Sequence, residues 1–101
     1  MNKDRRKAIQ GIIDHLNELD QKITVLLQDF EDTKDAIDDI LDEEENYRDN
    51  IPENLQDSER YNKADRACDY LSSASSHIEN ILYALEGDYE SVTSDLETAI
   101  E

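Results

Sequence analysis

The feature that most constrains this chain is a heptad repeat of apolar residues in its first half. The steps between apolar positions alternate between three and four residues and continue without a break for about six repeats. This period places one row of side chains along a single side of a long helix. Only two positions of the row are polar. The row consists of Ile9, Ile12, Leu16, Leu19, Ile23, Leu26, Phe30, Thr33, Ile37, Ile40, Glu44, Tyr47 and Ile51.

The end of this helix is set by Pro52. Proline cannot donate the backbone hydrogen bond that a helix interior needs, and it disfavours helical geometry in the residue before it. The sequence therefore predicts a first helix over about 3–49 and a turn over about 50–57.

The second half of the chain carries the same alternation. Its row consists of Tyr61, Ala64, Cys68, Leu71, Ser75, Ile78, Leu82, Leu85, Tyr89, Val92, Leu96 and Ala99. Asp57 or Ser58 can cap the first turn of this helix. Because the heptad continues in register past Gly87, the sequence favours one helix over about 58–100, bent at the glycine. A break at Gly87 is the alternative.

The two rows pair well if the chain folds back on itself. An antiparallel register places Phe30 opposite Ile78 and Thr33 opposite Ser75, so that two hydroxyls meet in the middle of the seam. It also lays the basic start of the chain beside its acidic end. The predicted fold class is therefore all-α, a long antiparallel two-helix hairpin (coiled coil) of about 65 Å.

A two-helix hairpin has a thin core, and apolar residues also flank the predicted seam. The stripe is wider than a two-stranded seam requires, so we expect these flanks to bury against a further helix pair. The prediction is a homodimer that forms a four-helix bundle, or else a hairpin docked on a different partner. The predicted edge consists of Ile13, Leu27, Leu41, Ala67, Ala74 and Ile81.

The charge of the chain limits its partners. It has 27 acidic residues against 10 lysines and arginines, a formal net charge of −17. Nucleic acid and anionic membrane surfaces would be repelled, so we expect no direct contact with either, and a basic protein is the expected partner. There is no apolar run of the roughly 20 residues that cross a bilayer, and the single cysteine cannot form an internal disulfide. These features predict a cytoplasmic protein.

The acids concentrate between residues 29 and 45, where ten carboxylates accompany one lysine, Lys34. Like charges three and four residues apart repel one another on a helix. One interpretation is a solvated face; the other is a surface that imitates a polyanion and occupies the basic groove of a nucleic-acid-binding protein. The predicted acidic face consists of Asp35, Asp38, Asp39, Asp42, Glu43 and Glu45.

Residues with the chemistry of a metal site or a catalytic site are present, but their spacing is not. The carboxylates lack the glycine of a calcium-binding loop, and neither His15 nor His77 has a glutamate three residues before it. Cys68 falls in the predicted seam, where a thiol acts as a small apolar side chain. We therefore expect no metal, no cofactor and no enzymatic activity.

The segment "NIPENLQDSERYNKADRACDYLSSA", with the start "MNKDRRKAIQGII", resembles small acidic helical proteins of Firmicutes and of their phages and prophages. The shared features are an Arg-Arg-Lys start and a Pro-Glu-x-Leu-Gln-x-Ser-Glu-Arg turn, here beginning at Pro52. The likeness covers about a third of the chain. It implies a helical form and a bacterial or phage origin, and it favours an inhibitor of a host or defence protein. A structural or adaptor coiled coil that docks through its apolar edges is the alternative hypothesis.

Overall fold

The computed structural model describes residues 1–87 and 89–101, except that at Tyr89 the side chain lies outside the description. The first helix, α1, spans Lys3–Asp49, as the sequence predicts. The side chain of Asn2 caps α1 by accepting a hydrogen bond from the amide of Arg5 at 2.8 Å. After Asp49 the chain turns, with a short 3-10 helix at Glu53–Leu55.

The second helix, α2, spans Glu59–Leu85. Its N-cap is Ser58, one of the two predicted candidates, whose hydroxyl accepts a hydrogen bond from the amide of Tyr61 at 3.2 Å. At the same end of the molecule Ile51 is only 5% exposed, so it closes the core beneath the turn.

A single helix over about 58–100 is wrong, because α2 ends at Leu85 and a separate helix, α3, spans Tyr89–Ala99. Near this point the amide of Gly87 donates to the carbonyl of Ala84 at 3.2 Å, which tightens the last turn of α2. Glycine is a poor helix former, so the alternative reading of a break at Gly87 is the correct one.

The helix α1 packs against both α2 and α3, and the molecule is a rod with extents of 78 × 17 × 15 Å. The predicted fold class, an all-α antiparallel hairpin, is confirmed. Its core is thin. The apolar residues that are at most 5% exposed among the described ones are Ile13, Ile51, Ala64 and Cys68.

The register of the hairpin differs from the predicted one. Ser75, expected opposite Thr33, donates a hydrogen bond to Asp38 at 2.6 Å, which is five residues further along α1. The hydroxyl of Thr33 instead bonds within α1, to the carbonyl oxygen of Asp29 at 2.8 Å. The predicted hydroxyl pair is therefore wrong.

The face of α1 that meets α2 is also different. The predicted row contains Ile12, three positions after Ile9. The structure instead buries Ile13, four positions after Ile9. The same choice is repeated along the helix. The apolar side chains of α1 that are buried or half-buried on this face are Ile9, Ile13, Leu16, Ile23, Leu27, Phe30, Ile37 and Leu41, and the half-buried polar ones between and after them are Asp20, Lys34, Glu44 and Arg48.

On α2 the predicted row is correct up to Leu85, since its members are buried or half-buried. In α3 the predicted Val92 is 47% exposed and the predicted Ala99 is exposed, while Leu96 is half-buried as predicted. The residues that follow the two exposed ones, Thr93 and Ile100, are half-buried instead, so two of these three predicted seam positions are wrong. The predicted seam position Tyr89 lies outside the described side chains.

Candidate interaction surfaces

One broad side of the hairpin is apolar. In each helix, this side is formed by the residues that immediately precede one of the two seam positions in every heptad. In an antiparallel pair, these flanking positions of the two helices lie next to each other. The contact of Arg60 with Tyr47 supports this alignment: its guanidinium hydrogen-bonds the tyrosine hydroxyl and lies 5.0 Å from the ring centre. We call this side the apolar face. It consists of Ile12, Leu19, Leu26, Ile40 and Tyr47 of α1, and Ala67, Ala74 and Ile81 of α2.

The large side chains of the apolar face are partly open to solvent. Ile12 is 50% exposed, Leu26 46% and Ile40 52%. On α2, Ile81 is 41% exposed, and Ala67 and Ala74 are half-buried. A row of this length on both helices differs from the isolated apolar residues that ordinary surfaces carry.

The opposite edge of the seam is polar and internally bonded. Asp38 accepts hydrogen bonds from the hydroxyl of Ser75 at 2.6 Å and from the ammonium of Lys34 at 2.9 Å. The Ser75 hydroxyl, followed by the lysine, lowers the pKa of Asp38 below its ordinary value. In turn, the hydrogen bond to Asp38 raises the pKa of Lys34. Asp38 therefore links the two helices.

A second polar contact between α1 and α2 lies on this edge, nearer the turn. Arg48 donates to Asp65 of α2 at 3.0 Å and to its neighbour Asp49 at the same distance. The bond to Asp49 is the larger cause of the raised pKa of Arg48. Cys68, also in the seam, is 4% exposed, and burial raises the pKa of its thiol.

The predicted acidic face divides into exposed and engaged members. Asp38 is engaged as described, and Glu45 is half-buried. The other four are exposed on the back of α1, and within the described part of the chain none has a lysine or arginine at ion-pair distance. We call these four the acidic row: Asp35, Asp39, Asp42 and Glu43.

The predicted edge residues also divide. Ile13 is 3% exposed inside the hairpin, so its assignment to an outer edge is wrong, and Leu27 and Leu41 are half-buried on the same face. Ala67, Ala74 and Ile81 do lie on the flank of α2. Sequence reasoning missed the α1 half of the apolar face because it assigned Ile12, Leu26 and Ile40 to the seam. The sequence pattern favoured that assignment, because the row that the structure turns inward alternates apolar residues with Asp20, Lys34 and Arg48.

Other candidate groups are isolated. Tyr70 and Tyr83 are 67% and 81% exposed. Among the residues that the structure describes, no cluster of three or more His, Cys, Asp or Glu side chains has the arrangement of a metal site. In the same part of the chain, none of the helices is long and apolar enough to cross a membrane.

Comparison with known proteins assigns no relative: no family model, curated protein or solved structure matches this chain. The resemblance to Firmicute and phage proteins therefore stays a prediction.

Proposed function

We propose that this chain is a non-enzymatic acidic binding protein of the phage inhibitor type, which acts in a bacterial cytoplasm. It occupies a basic site on a nucleic-acid-binding or defence protein and excludes the nucleic acid. The observation that carries the proposal is the acidic row: four exposed carboxylates on consecutive turns of one helix, to which no cation among the described residues is bonded.

The spacing of the acidic row suits such a site. Carboxylates on neighbouring turns are about 5–6 Å apart, which is of the same order as the roughly 3.4 Å of duplex axis per phosphate in one strand of DNA. The helix that carries them is 47 residues long. Its side chains can therefore meet a long basic groove, and the release of counterions from both surfaces favours association.

The test neutralises the acidic row by changing Asp35, Asp39 and Asp42 to Asn and Glu43 to Gln. Asp38 is left intact because it bonds Ser75. The matched control removes the same number of charges from α3 and its end, with Glu90, Glu97 and Glu101 changed to Gln and Asp95 to Asn; all four are exposed.

The measurement is the affinity of each variant for a basic protein captured from bacterial lysate, with competition by duplex DNA and a salt series. We expect the row variant to lose at least about tenfold in affinity and the α3 variant much less. DNA should displace the wild-type chain. Equal losses in both variants would mean that only net charge matters, and they would contradict the proposal.

A second candidate is a structural or adaptor protein, which the exposed apolar face favours. In that case Leu26→Lys or Ile81→Lys would abolish capture of the partner, while the row variant would bind normally. The two candidates therefore predict opposite outcomes for the same set of variants.

A further inference from the structure

We infer that the apolar face is a self-association surface, on which a second copy of this chain packs end over end to form a four-helix bundle. This goes beyond the proposed function, which uses the acidic row on the back of α1. The interface uses Ile12, Leu26, Ile40 and Tyr47 in place of Ile13, Leu27 and Leu41, which face α2 within one copy.

The first argument is the area that one copy leaves exposed. Its accessible surface is 7677 Å² for a mass of 11.7 kDa. A compact monomer of this mass exposes about 5,900 Å². The difference exceeds the roughly 800 Å² that each partner buries in a standard protein interface. The hairpin therefore has enough surplus surface to supply one stable interface.

The second argument is the shape of the apolar face. On α1 it carries large side chains such as Leu26 and Ile40, whereas on α2 it carries Ala67 and Ala74. In the end-over-end arrangement each helix lies against its own copy, and the small residues let the two α2 helices approach closely. The same face of both copies forms the contact, as a two-fold symmetric interface requires.

The spacing of the row on α1 also suits a copy turned end over end. A two-fold axis beside residues 29 and 30 brings Ile12 opposite Tyr47 of the other copy and Leu19 opposite its Ile40. It also sets Leu26 against Thr33, the polar residue that lies between Leu26 and Ile40 on this flank of α1. The apolar contact then extends along most of α1 in both copies.

Charge decides between this arrangement and a parallel one. If both turns lay at the same end, the ten carboxylates between residues 29 and 45 would lie beside their own copies. In the end-over-end arrangement this segment lies along residues 14–30 of the other copy, which hold four carboxylates and Lys22. Like charges across an interface are unfavourable, so the end-over-end arrangement is preferred.

The experiment measures mass by light scattering and sedimentation equilibrium over a concentration series. We expect twice the chain mass of 11.7 kDa. Leu26→Lys and Ile81→Lys should each raise the dimer dissociation constant at least about 30-fold. Matched controls are Val25→Lys and Tyr83→Lys, at positions that are 62% and 81% exposed but lie off the apolar face. These should leave the constant within about threefold of wild type.

Far-UV circular dichroism of the four variants should show unchanged helix content, because every substituted residue is exposed in one copy. A monomeric wild type at high micromolar concentration would overturn the inference and leave the face to a foreign partner. Equal effects of the face and control variants would also overturn it, since they would mean that added charge alone separates the copies.

The orientation is tested with spin labels in a Cys68→Ala background, placed one at a time at exposed positions. For Asp29→Cys, close to the inferred axis, we expect a short distance between the labels of the two copies. For Ala8→Cys we expect about 60 Å, at 1.5 Å per residue. A short distance at both positions would indicate the parallel arrangement and contradict the end-over-end bundle.

Discussion

At the scale of single residues, Asp38 shows how a side chain acquires a role that its neighbours lack. In the sequence it is one of ten closely spaced carboxylates. In the structure it accepts hydrogen bonds from Lys34 on its own helix and from Ser75 on α2. Ser75 is 7% exposed, so this pair satisfies a polar group within the seam. Asp38 therefore fixes the register, while Asp35 and Asp39 face solvent.

This role predicts a pH-dependent effect of Ser75→Ala. The folded-state pKa of Asp38 lies below its ordinary 3.8, so its contribution to stability is complete above that value and is lost as the pH falls through the folded-state pKa. We expect the difference in unfolding free energy between wild type and Ser75→Ala to be largest near neutral pH and to shrink below about pH 4.

The measurement is urea unfolding followed by circular dichroism at several pH values. The control is Ser76→Ala, because Ser76 is the exposed neighbour in the same helix. A difference for Ser75→Ala that stays constant into acid would show that the hydroxyl does not act through the ionised carboxylate.

At the scale of secondary structure elements, the two glycines behave differently. Gly11 lies within α1, and a Cβ built there meets nothing within 4 Å. Gly87 follows the end of α2, and a Cβ there would lie 3.1 Å from the carbonyl oxygen of Ala84. The helix α1 therefore continues through Gly11, whereas the second half of the chain is divided into α2 and α3 near Gly87.

We expect Gly11→Ala to raise the free energy of unfolding by about 0.5–1 kcal/mol, because alanine loses less conformational freedom in a helix than glycine. Gly87→Ala should gain less or be destabilising, because the backbone oxygen of Ala84 must move. Denaturant unfolding of both variants gives the comparison. An equal gain at both positions would contradict the tight contact at Gly87.

At the scale of the whole molecule, a thin core is combined with a net charge of −17. Unpaired carboxylates on the back of α1 repel one another in the folded rod more than in an extended chain. Few ion pairs oppose this, and the one between Lys34 and Asp38 spans a single helical turn. Repulsion between like charges therefore opposes folding here.

This balance predicts that added sodium chloride raises the thermal midpoint of unfolding by several degrees between about 0.01 and 0.3 M, because salt screens repulsion between exposed charges. The variant with the acidic row converted to amides should have a higher midpoint at low salt and a smaller response. The measurement is thermal unfolding by circular dichroism at fixed protein concentration. A midpoint that falls with salt would mean that attractive ion pairs dominate.

The sequence by itself determined the features that depend on neighbouring residues. The heptad period predicted two antiparallel helical arms, and Pro52 predicted the end of α1. The hydroxyl of Ser58 made this residue a candidate N-cap of α2. The sequence also identified the exposed carboxylates Asp35 and Asp39. Each of these follows from local geometry, which the order of residues specifies directly.

Only the tertiary structure decided which side of α1 meets α2, and with it the register and the position of the apolar face. Residues three and four positions after Ile9, namely Ile12 and Ile13, are both apolar, and the same is true of the pairs 14 and 28 residues later. Two seams were therefore available, and hydrophobic periodicity favours the one that the structure leaves outside, because the row that the structure uses contains Asp20, Lys34 and Arg48. The physical difference lies in contacts between distant residues, Ser75 with Asp38 and Arg48 with Asp65, which exist only when the two arms are together.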